Sequence, residues 1–404
     1  MMQTATLEQQ KAVGSRLVSI DVLRGLVMVI MALDHSRDFL SSALFDATDL
    51  TRTTPLLFFT RWITHFCAPI FVWLAGTGAY LSIANGSRDR YQLARFLFTR
   101  GLWLLFLEVA VIAPLGWSFS LGFGFTRLQV IWVIGASMVI MAGLVAVFSA
   151  RAIGIFGLVV IALQNMFDGA HVKWLGRWAG VWRAVHNPNF YEPFPHKVVG
   201  LLYPVLPWLA VMAVGYGMGH LALLEGEKRK RTFLKIGLAA LALFCVIRMT
   251  NAYGEPQPWH AQSDAVRTLM SFVNCTKYPP SLLYLLMTLG GGLCFLACAD
   301  ALPTMLTKPL AVFGRVPLFY YLLHLPILHG LAVAFSFARY GRAEWLYQDS
   351  FALRGSTHPL PAGYGYDLWV VYLVWAAVVL LLYQACRWFG EVKSRNRSTV
   401  LSYL

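Results

Sequence analysis

Apolar and polar positions alternate along this chain on the length scale of a bilayer. Ten apolar runs lie near residues 18–35, 62–84, 97–114, 128–149, 152–167, 201–223, 234–250, 281–299, 311–337 and 368–388, each bounded by a polar or basic stretch. Most approach the ~20 residues with which an α-helix crosses a hydrocarbon core; the fifth is short. The pattern predicts an all-α fold, a polytopic membrane helical bundle of about 10 transmembrane helices. It reads as one membrane domain over residues 18–388, between an N-terminal tail, 1–17, and a basic C-terminal tail, 389–404. The polar opening residues lack the charged, apolar and cleavable regions of a signal peptide, so the first run is expected to stay as a helix.

Composition agrees. The chain is 58% hydrophobic and 13% charged, with mean hydropathy +0.60, whereas a soluble domain would carry roughly twice that charged fraction. A net charge of +14 and pI ≈ 9.6 are explained without nucleic acid, because membrane proteins concentrate Lys and Arg in cytoplasmic segments. With the N-terminus inside, the inner segments hold Lys11, Arg16, Arg88, Arg90, Arg95, Arg100, Arg151, the Glu227–Arg231 block, Lys235, Lys308, Arg315, Arg387, Lys393, Arg395 and Arg397. The outer loops 36–61, 115–127, 168–200, 251–280 and 338–367 are longer and less dense in basic residues. An even number of spans then puts both termini in the cytoplasm (N-in/C-in), and the expected location is the inner (cytoplasmic) membrane. The outer loops are rich in Pro, Gly, Trp, Tyr and His, as loops folded over a site or anchored at the lipid interface would be. Cys67, Cys245, Cys294, Cys298 and Cys386 sit in apolar context and Cys275 in an outer loop; no paired framework or metal spacing is present among them.

Ionisable groups inside spans are expensive and each asks for a reason. Asp21 and Arg24, three apart at the start of the first run, read as a local ion pair or as a contact to a cytosolic anion. Glu108 lies inside "LWLLFLEVAVI", protonated, paired with a basic group such as Arg127, or functional. His324 and His329 in "PLFYYLLHLPILHG" diverge by ~140° around a helix, so they form no two-histidine metal face; a hydrogen-bonded packing role suits either. No other spacing suggests a metal site.

His35, in "MALDHSRDF", and His65, in "RWITHFCAPIF", lie on consecutive runs at similar depth near the outer boundary. His35 and Asp38 are i,i+3 neighbours if the helix continues through Asp38, while Asp34 points ~100° away. A carboxylate holding one ring nitrogen leaves the other as a base, and His is the side chain suited to proton transfer near neutral pH. On the inner side, Arg88, Arg90, Arg95 and Arg100 surround the start of the third run. Positive-inside bias explains them, and so does docking of a phosphorylated cofactor.

These stretches resemble a family. "RLVSIDVLRGLVMVIMALDHSRDF", "RWITHFCAPIFVWLAGTGAYL", "RGLWLLFLEV", "RLQVIWVIGASM", "YPPSLLYLLMTLG", "GRVPLFYYLLHLPILH" and the C-terminal "GYDLWVVYLVWAAVVLLLY" are similar to the bacterial relatives of heparan-α-glucosaminide N-acetyltransferase. A wider similarity reaches integral-membrane acyltransferases that modify glycans, whose first helix resembles "D-x-x-R-G…H" and ends in a histidine treated as catalytic. The matching position is His35. The resemblance implies acetyl-CoA or another acyl-CoA as co-substrate, bound from the cytosol. It also implies a hydroxyl or amine of a periplasmic or cell-surface glycan as acceptor.

The expected function is therefore an acyl-CoA-dependent membrane acyltransferase. His35 would be its base, assisted by Asp38 or Asp34, with His65 as a second base or polariser; Arg24, Arg88, Arg90, Arg95 and Arg100 would bind the cofactor. The competing reading is a proton-coupled transporter or flippase of a glycan or lipid intermediate, using Glu108 and His324 as a relay. A purely structural membrane subunit is a third. Expected partners are membrane lipid and the glycan; oligomeric state is not legible.

Overall fold

The computed structural model describes residues 18–122, 124–168, 176–348 and 360–396. Several helices begin where the chain supplies a capping group. Thr54, Asp89, Ser149 and Ser281 accept hydrogen bonds from the backbone N–H groups of Leu57, Gln92, Ala152 and Tyr284, satisfying donors that a helix start leaves unpaired. At Asp89 the cap is reciprocal, since the Gln92 side chain accepts from the Asp89 N–H, a capping box.

In chain order the helices are α1 (Val18–Leu40), α2 (Pro55–Ile63), α3 (Cys67–Ala84), α4 (Arg90–Leu107), α5 (Val130–Val147), α6 (Ala150–Leu163), α7 (Ala179–His186), α8 (Val205–Met218), α9 (Gly226–Thr250), α10 (Ala265–Val273), α11 (Leu282–Cys298), α12 (Thr304–Arg315), α13 (Pro317–Tyr340) and α14 (Leu368–Arg395). A 3₁₀ turn, Thr64–Phe66, joins α2 to α3 in one span, and α4 continues at π pitch over Glu108–Ser118, around Pro114. Nine spans among the described residues are long and apolar enough to cross a membrane, and the fold is all-α and polytopic. They match nine of the ten expected runs. The tenth, α1, carries Asp21, Arg24, Asp34, Arg37 and Asp38. It tolerates them because it is wrapped by α3, α12, α13 and α14, with most of its residues buried in protein instead of lipid.

One boundary shifts. The expected run 311–337 is two helices, because Pro317 starts α13 and the preceding α12 is a short amphipathic helix lying along α1. Residues 389–395, assigned to a tail, continue α14. The expected tail 1–17, residues 397–404, and parts of two outer loops, 169–175 and 349–359, lie outside the described residues.

Helix pairs approach through glycine. A Cβ on Gly25 of α1 would sit 1.8 Å from Leu310 O of α12, and one on Gly314 of α12 would sit 1.9 Å from Asp21 O. Reciprocal close approaches join α3 to α8 at Gly76 and Gly215, α4 to α5 at Gly101 and Gly135, and α9 to α11 at Gly237 and Gly290. Lipid gives helices no hydrophobic reason to associate, so close backbone packing at small residues does the work.

Outside the bundle, three short strands, β1 (Phe125–Leu128), β2 (Asn189–Phe194) and β3 (Lys197–Leu201), form a sheet in the order β1-β3-β2. β3 pairs parallel with β1 and antiparallel with β2, which joins two of the expected outer loops. The loop 251–281 is pinned by Arg248, buried at the end of α9, whose guanidinium donates to the carbonyls of Gln257, Ser271, Phe272 and Asn274.

Because no rotamer can relieve a backbone clash, Gly25→Leu and Gly314→Leu should each destabilise the protein by about 3 kcal/mol, the upper part of the overpacking range. Thermal unfolding in detergent measures this. Gly143, which has no neighbour within 4 Å of a built Cβ, should accept Leu with little change.

Candidate active site

The C-terminal end of α1 places Asp34, His35, Arg37 and Asp38 on just over one turn. Asp34 Oδ1 accepts from Arg37 Nη2 at 3.0 Å, one turn ahead, and Asp34 Oδ2 accepts from Arg61 Nη1 of α2 at 2.5 Å. Arg37 Nη2 also donates to Asp38 Oδ1 at 2.7 Å, and Arg61 Nη1 to Thr64 Oγ1 at 3.1 Å. Two guanidinium groups and two carboxylates thus neutralise each other where the span ends, the arrangement that makes buried charge tolerable.

His35 faces another way. Its Nδ1 lies 2.7 Å from Nε2 of His324, on α13, and the two rings meet edge to edge, 22° from parallel with centroids 4.9 Å apart. Trp117, from the π segment, meets the imidazole edge-on at 5.0 Å, and Arg127 lies over the Trp117 ring at 4.4 Å. With its amide oxygen turned toward them, Gln129 accepts from Trp117 Nε1 at 2.8 Å and Arg127 Nε at 3.2 Å. The buried Glu108 accepts the Gln129 backbone N–H at 3.0 Å. π-Helical turns often mark functional sites, and here the widened turn carries both Glu108 and Trp117 inward.

A cavity of about 290 Å³ opens onto this cluster, lined by Asp34, His35, Asp38, Arg61, Arg127 and, from the loop before α11, Lys277 and Tyr278. Tyr278 donates to the Tyr203 hydroxyl at 3.3 Å. Burial acts to raise the Tyr278 phenol's pKa, but Lys277 and Arg61 outweigh it and hold the phenol below its ordinary value.

A second cavity, of about 380 Å³, opens at the other end of α1. Arg24, Arg88, Arg100, Arg315 and Lys393 stand around it, over apolar walls from α3, α4 and α5. Arg24 pairs with Asp21 at 3.3 Å and donates to Gly314 O at 3.1 Å, and Arg88 lies over the Phe96 ring at 3.8 Å. Phe71, Val130 and Tyr321 line both cavities. Along α1, Arg24 and His35 are eleven residues apart, about 16 Å of helix rise.

Several sequence expectations need correction. Asp38 does not orient His35: its carboxylate is taken by Arg37, since a full positive charge outcompetes a neutral imidazole, and His324 occupies the Nδ1 position. Asp34, the alternative helper of His35, has its carboxylate taken by Arg37 and Arg61 and is the hub of the charge network. His65 is not brought to His35. The 3₁₀ turn at Thr64–Phe66 puts Thr64 and Cys67 on the cavity, while the His65 ring packs against Tyr284 at 5.6 Å. Arg90 donates to the Val145 and Phe148 carbonyls at the end of α5, and Arg95 is exposed; neither lines the inner cavity. His324 and His329 do diverge, His329 reaching the carbonyls of Gly116 and Leu346. Arg315 and Lys393 had appeared only as inner-face charges, and Lys277, Tyr278 and Tyr321 had not been singled out. Their only signals were a basic or aromatic residue at a span end, a feature shared with many interface residues. Among the described residues, no group of three or more His, Cys, Asp or Glu is arranged to hold a metal.

A polytopic bundle with a basic cavity at one end, a histidine cavity at the other and a shared wall between them defines a membrane protein with a two-ended site. The sequence profile of the catalytic domain of heparan-alpha-glucosaminide N-acetyltransferase matches residues 16–249, more than half of the chain, and the chain belongs to that family. Membership carries the coarse activity, acetyl transfer by an integral-membrane enzyme. No curated protein matches the chain. Lys277, Tyr278 and Tyr321 of the histidine cavity, Arg315 and Lys393 of the basic one, and His324, the partner of His35, all fall outside the matched segment, so the remainder of the chain completes both cavities.

Removing the hub should cost more than removing the rim. Asp34→Ala leaves Arg37 and Arg61 buried without their shared carboxylate and should destabilise by about 3–5 kcal/mol, the cost of breaking a buried pair. Asp38→Ala, at a more exposed carboxylate with one partner, should cost about 1 kcal/mol or less. Thermal unfolding of the two variants side by side measures the difference.

Proposed function

We propose that the protein moves an acetyl group from cytosolic acetyl-CoA, held at the inner cavity, to an amine or hydroxyl of a glycan at the outer cavity. The observation that carries this reading is the pair of cavities meeting at Phe71, Val130 and Tyr321. The inner rim supplies guanidinium and ammonium groups for phosphates, with Arg315 and Lys393 standing beside Arg24, Arg88 and Arg100 in place of the expected Arg90 and Arg95. The apolar walls suit a pantetheine arm, whose extended length is comparable to the helix rise between Arg24 and His35. The positive-inside bias supports a cytosolic position for that rim, and the cytoplasmic membrane is the location that a cytosolic donor and an envelope acceptor require.

At the outer end, His35 Nε2 enters no hydrogen bond among the described residues and is the ring nitrogen left to the cavity. It takes the proton from the acceptor amine or hydroxyl as that atom bonds to the acetyl carbonyl carbon. The C–S bond then breaks, and the imidazolium returns the proton to the leaving thiolate. A positioned base supplies about 10²–10⁴ in rate, and holding both reactants away from bulk water adds to it. Lys277 and the Tyr278 phenol stand beside the cavity as donors to the acceptor's oxygens. The flippase reading gains no support: its relay would join Glu108 to His324, but His324 is bonded to His35 and Glu108 accepts from the Gln129 N–H.

Membranes given labelled acetyl-CoA and a glucosamine-terminated oligosaccharide test the proposal. His35→Ala should lose acetyl transfer by about 10² or more. Arg88→Ala and Arg100→Ala should raise KM for acetyl-CoA more than they lower kcat, and His65→Ala should keep most of the activity. Undiminished transfer by His35→Ala would end the reading.

A further inference from the structure

The His35–His324 contact specifies more than proximity. His324 Nδ1 lies 2.8 Å from Tyr321 O and 3.2 Å from Tyr320 O, both carbonyls of its own helix. A carbonyl can only accept, so His324 Nδ1 carries the hydrogen. In the neutral ring Nε2 then bears a lone pair, and Nε2 is the atom 2.7 Å from His35 Nδ1. That short contact needs a hydrogen between two nitrogens, and His35 must provide it. His35 is therefore held as the Nδ1–H tautomer, with its lone pair on Nε2. In water the neutral histidine side chain favours the Nε2–H tautomer, and the order of hydrogen bonds here reverses that preference.

We infer that His324 is the positioning residue of the reaction, fixing through the Tyr320 and Tyr321 carbonyls the His35 tautomer whose Nε2 receives the acceptor's proton. This rests on the reading of His35 as the base. In triads of the hydrolytic enzymes a carboxylate has this task. A neutral imidazole does it here without adding a charge next to Asp34 and without the desolvation cost of another buried carboxylate. When His35 Nε2 takes the proton, the positive charge strengthens the Nδ1–H donation to His324 Nε2, as charge-assisted hydrogen bonds do. When the proton passes to the thiolate, the neutral pair is restored, so the cycle consumes no external acid or base. The edge-to-edge contact of the two rings, 22° from parallel, and the Trp117 ring set nearly perpendicular at 5.0 Å keep His35 from turning over.

The test reads the tautomer directly and separately from turnover. Protein labelled with ¹⁵N-histidine in lipid nanodiscs gives distinct signals for protonated and bare ring nitrogens, and the His35 pair is identified by its loss in His35→Gln. The wild type should show His35 protonated on Nδ1 and bare on Nε2. His324→Gln keeps an acceptor oxygen at the position of Nε2 and cannot carry charge; it should preserve that tautomer and lower kcat by less than about tenfold. His324→Leu removes the acceptor; His35 should revert to Nε2–H, with kcat falling by about 10² or more and KM for acetyl-CoA little changed. A wild-type His35 protonated on Nε2 overturns the inference, as does a His324→Leu protein that keeps the Nδ1–H form. Equal losses of kcat in Gln and Leu variants with the tautomer unchanged overturn it too. If His324→Leu fails to fold, the wild-type and Gln spectra still decide. Absence of acetyl transfer in the wild type would count against the proposed function, leaving the tautomer result to stand on its own.

Discussion

A carboxylate cannot sit at the edge of a hydrocarbon layer without compensation, and the outer half of this protein is organised by how Asp34 obtains it. The guanidinium groups of Arg37, on α1, and Arg61, on α2, close on it, and the bond to Arg61 fixes the rotation of α1 about its axis. With Asp34 turned toward α2, the next side chain points about 100° further round. That direction leads to α13, where His324 waits. The ion-pair network and the histidine pair are therefore one construction: the first is neutral and structural, and it sets the second in place.

The inner half depends on a different constraint. Helices that lipid does not drive together must approach closely to hold, and α1 does so against α12 through Gly25 and Gly314. This crossing sits beside Arg24, whose guanidinium donates to the Gly314 carbonyl. The same helix thus forms the floor of the basic cavity at one end and the wall of the histidine cavity at the other. The proposed transfer, from a donor on one side of the membrane to an acceptor on the other, needs such an element. α1 can serve because neighbouring helices, not lipid, surround its five charged residues.

The sequence was most informative where a rule concerns one residue or one run. Run lengths located nine helices that satisfy a span's length and composition, and the i,i+3 spacing of Asp21 and Arg24 anticipated their ion pair at 3.3 Å. The position of His35 at the end of the first run marked it as a candidate base, and it lines the outer cavity. Partner choice was less legible. Spacing favoured Asp38 over Asp34 because it considers one helix alone, whereas Arg37 takes both carboxylates, and Arg61 takes Asp34, with full charge. Similar depth suggested that His65 joins His35, but depth leaves rotation free, and one 3₁₀ turn rotates His65 toward Tyr284. Arg90 and Arg95 looked equivalent to Arg88 and Arg100; helix phase sends the first pair to the α5 terminus and the surface.

What the sequence alone determined is the class of structure, an all-α polytopic bundle, because hydropathy acts on each segment separately. What only the tertiary structure decided is which polar groups meet. His35 and His324 are 289 residues apart, and the contact depends on the rotations of two helices and on the carbonyls that orient one imidazole. No local pattern encodes that combination, since it arises from packing α1 against α13 around charges that must be neutralised first.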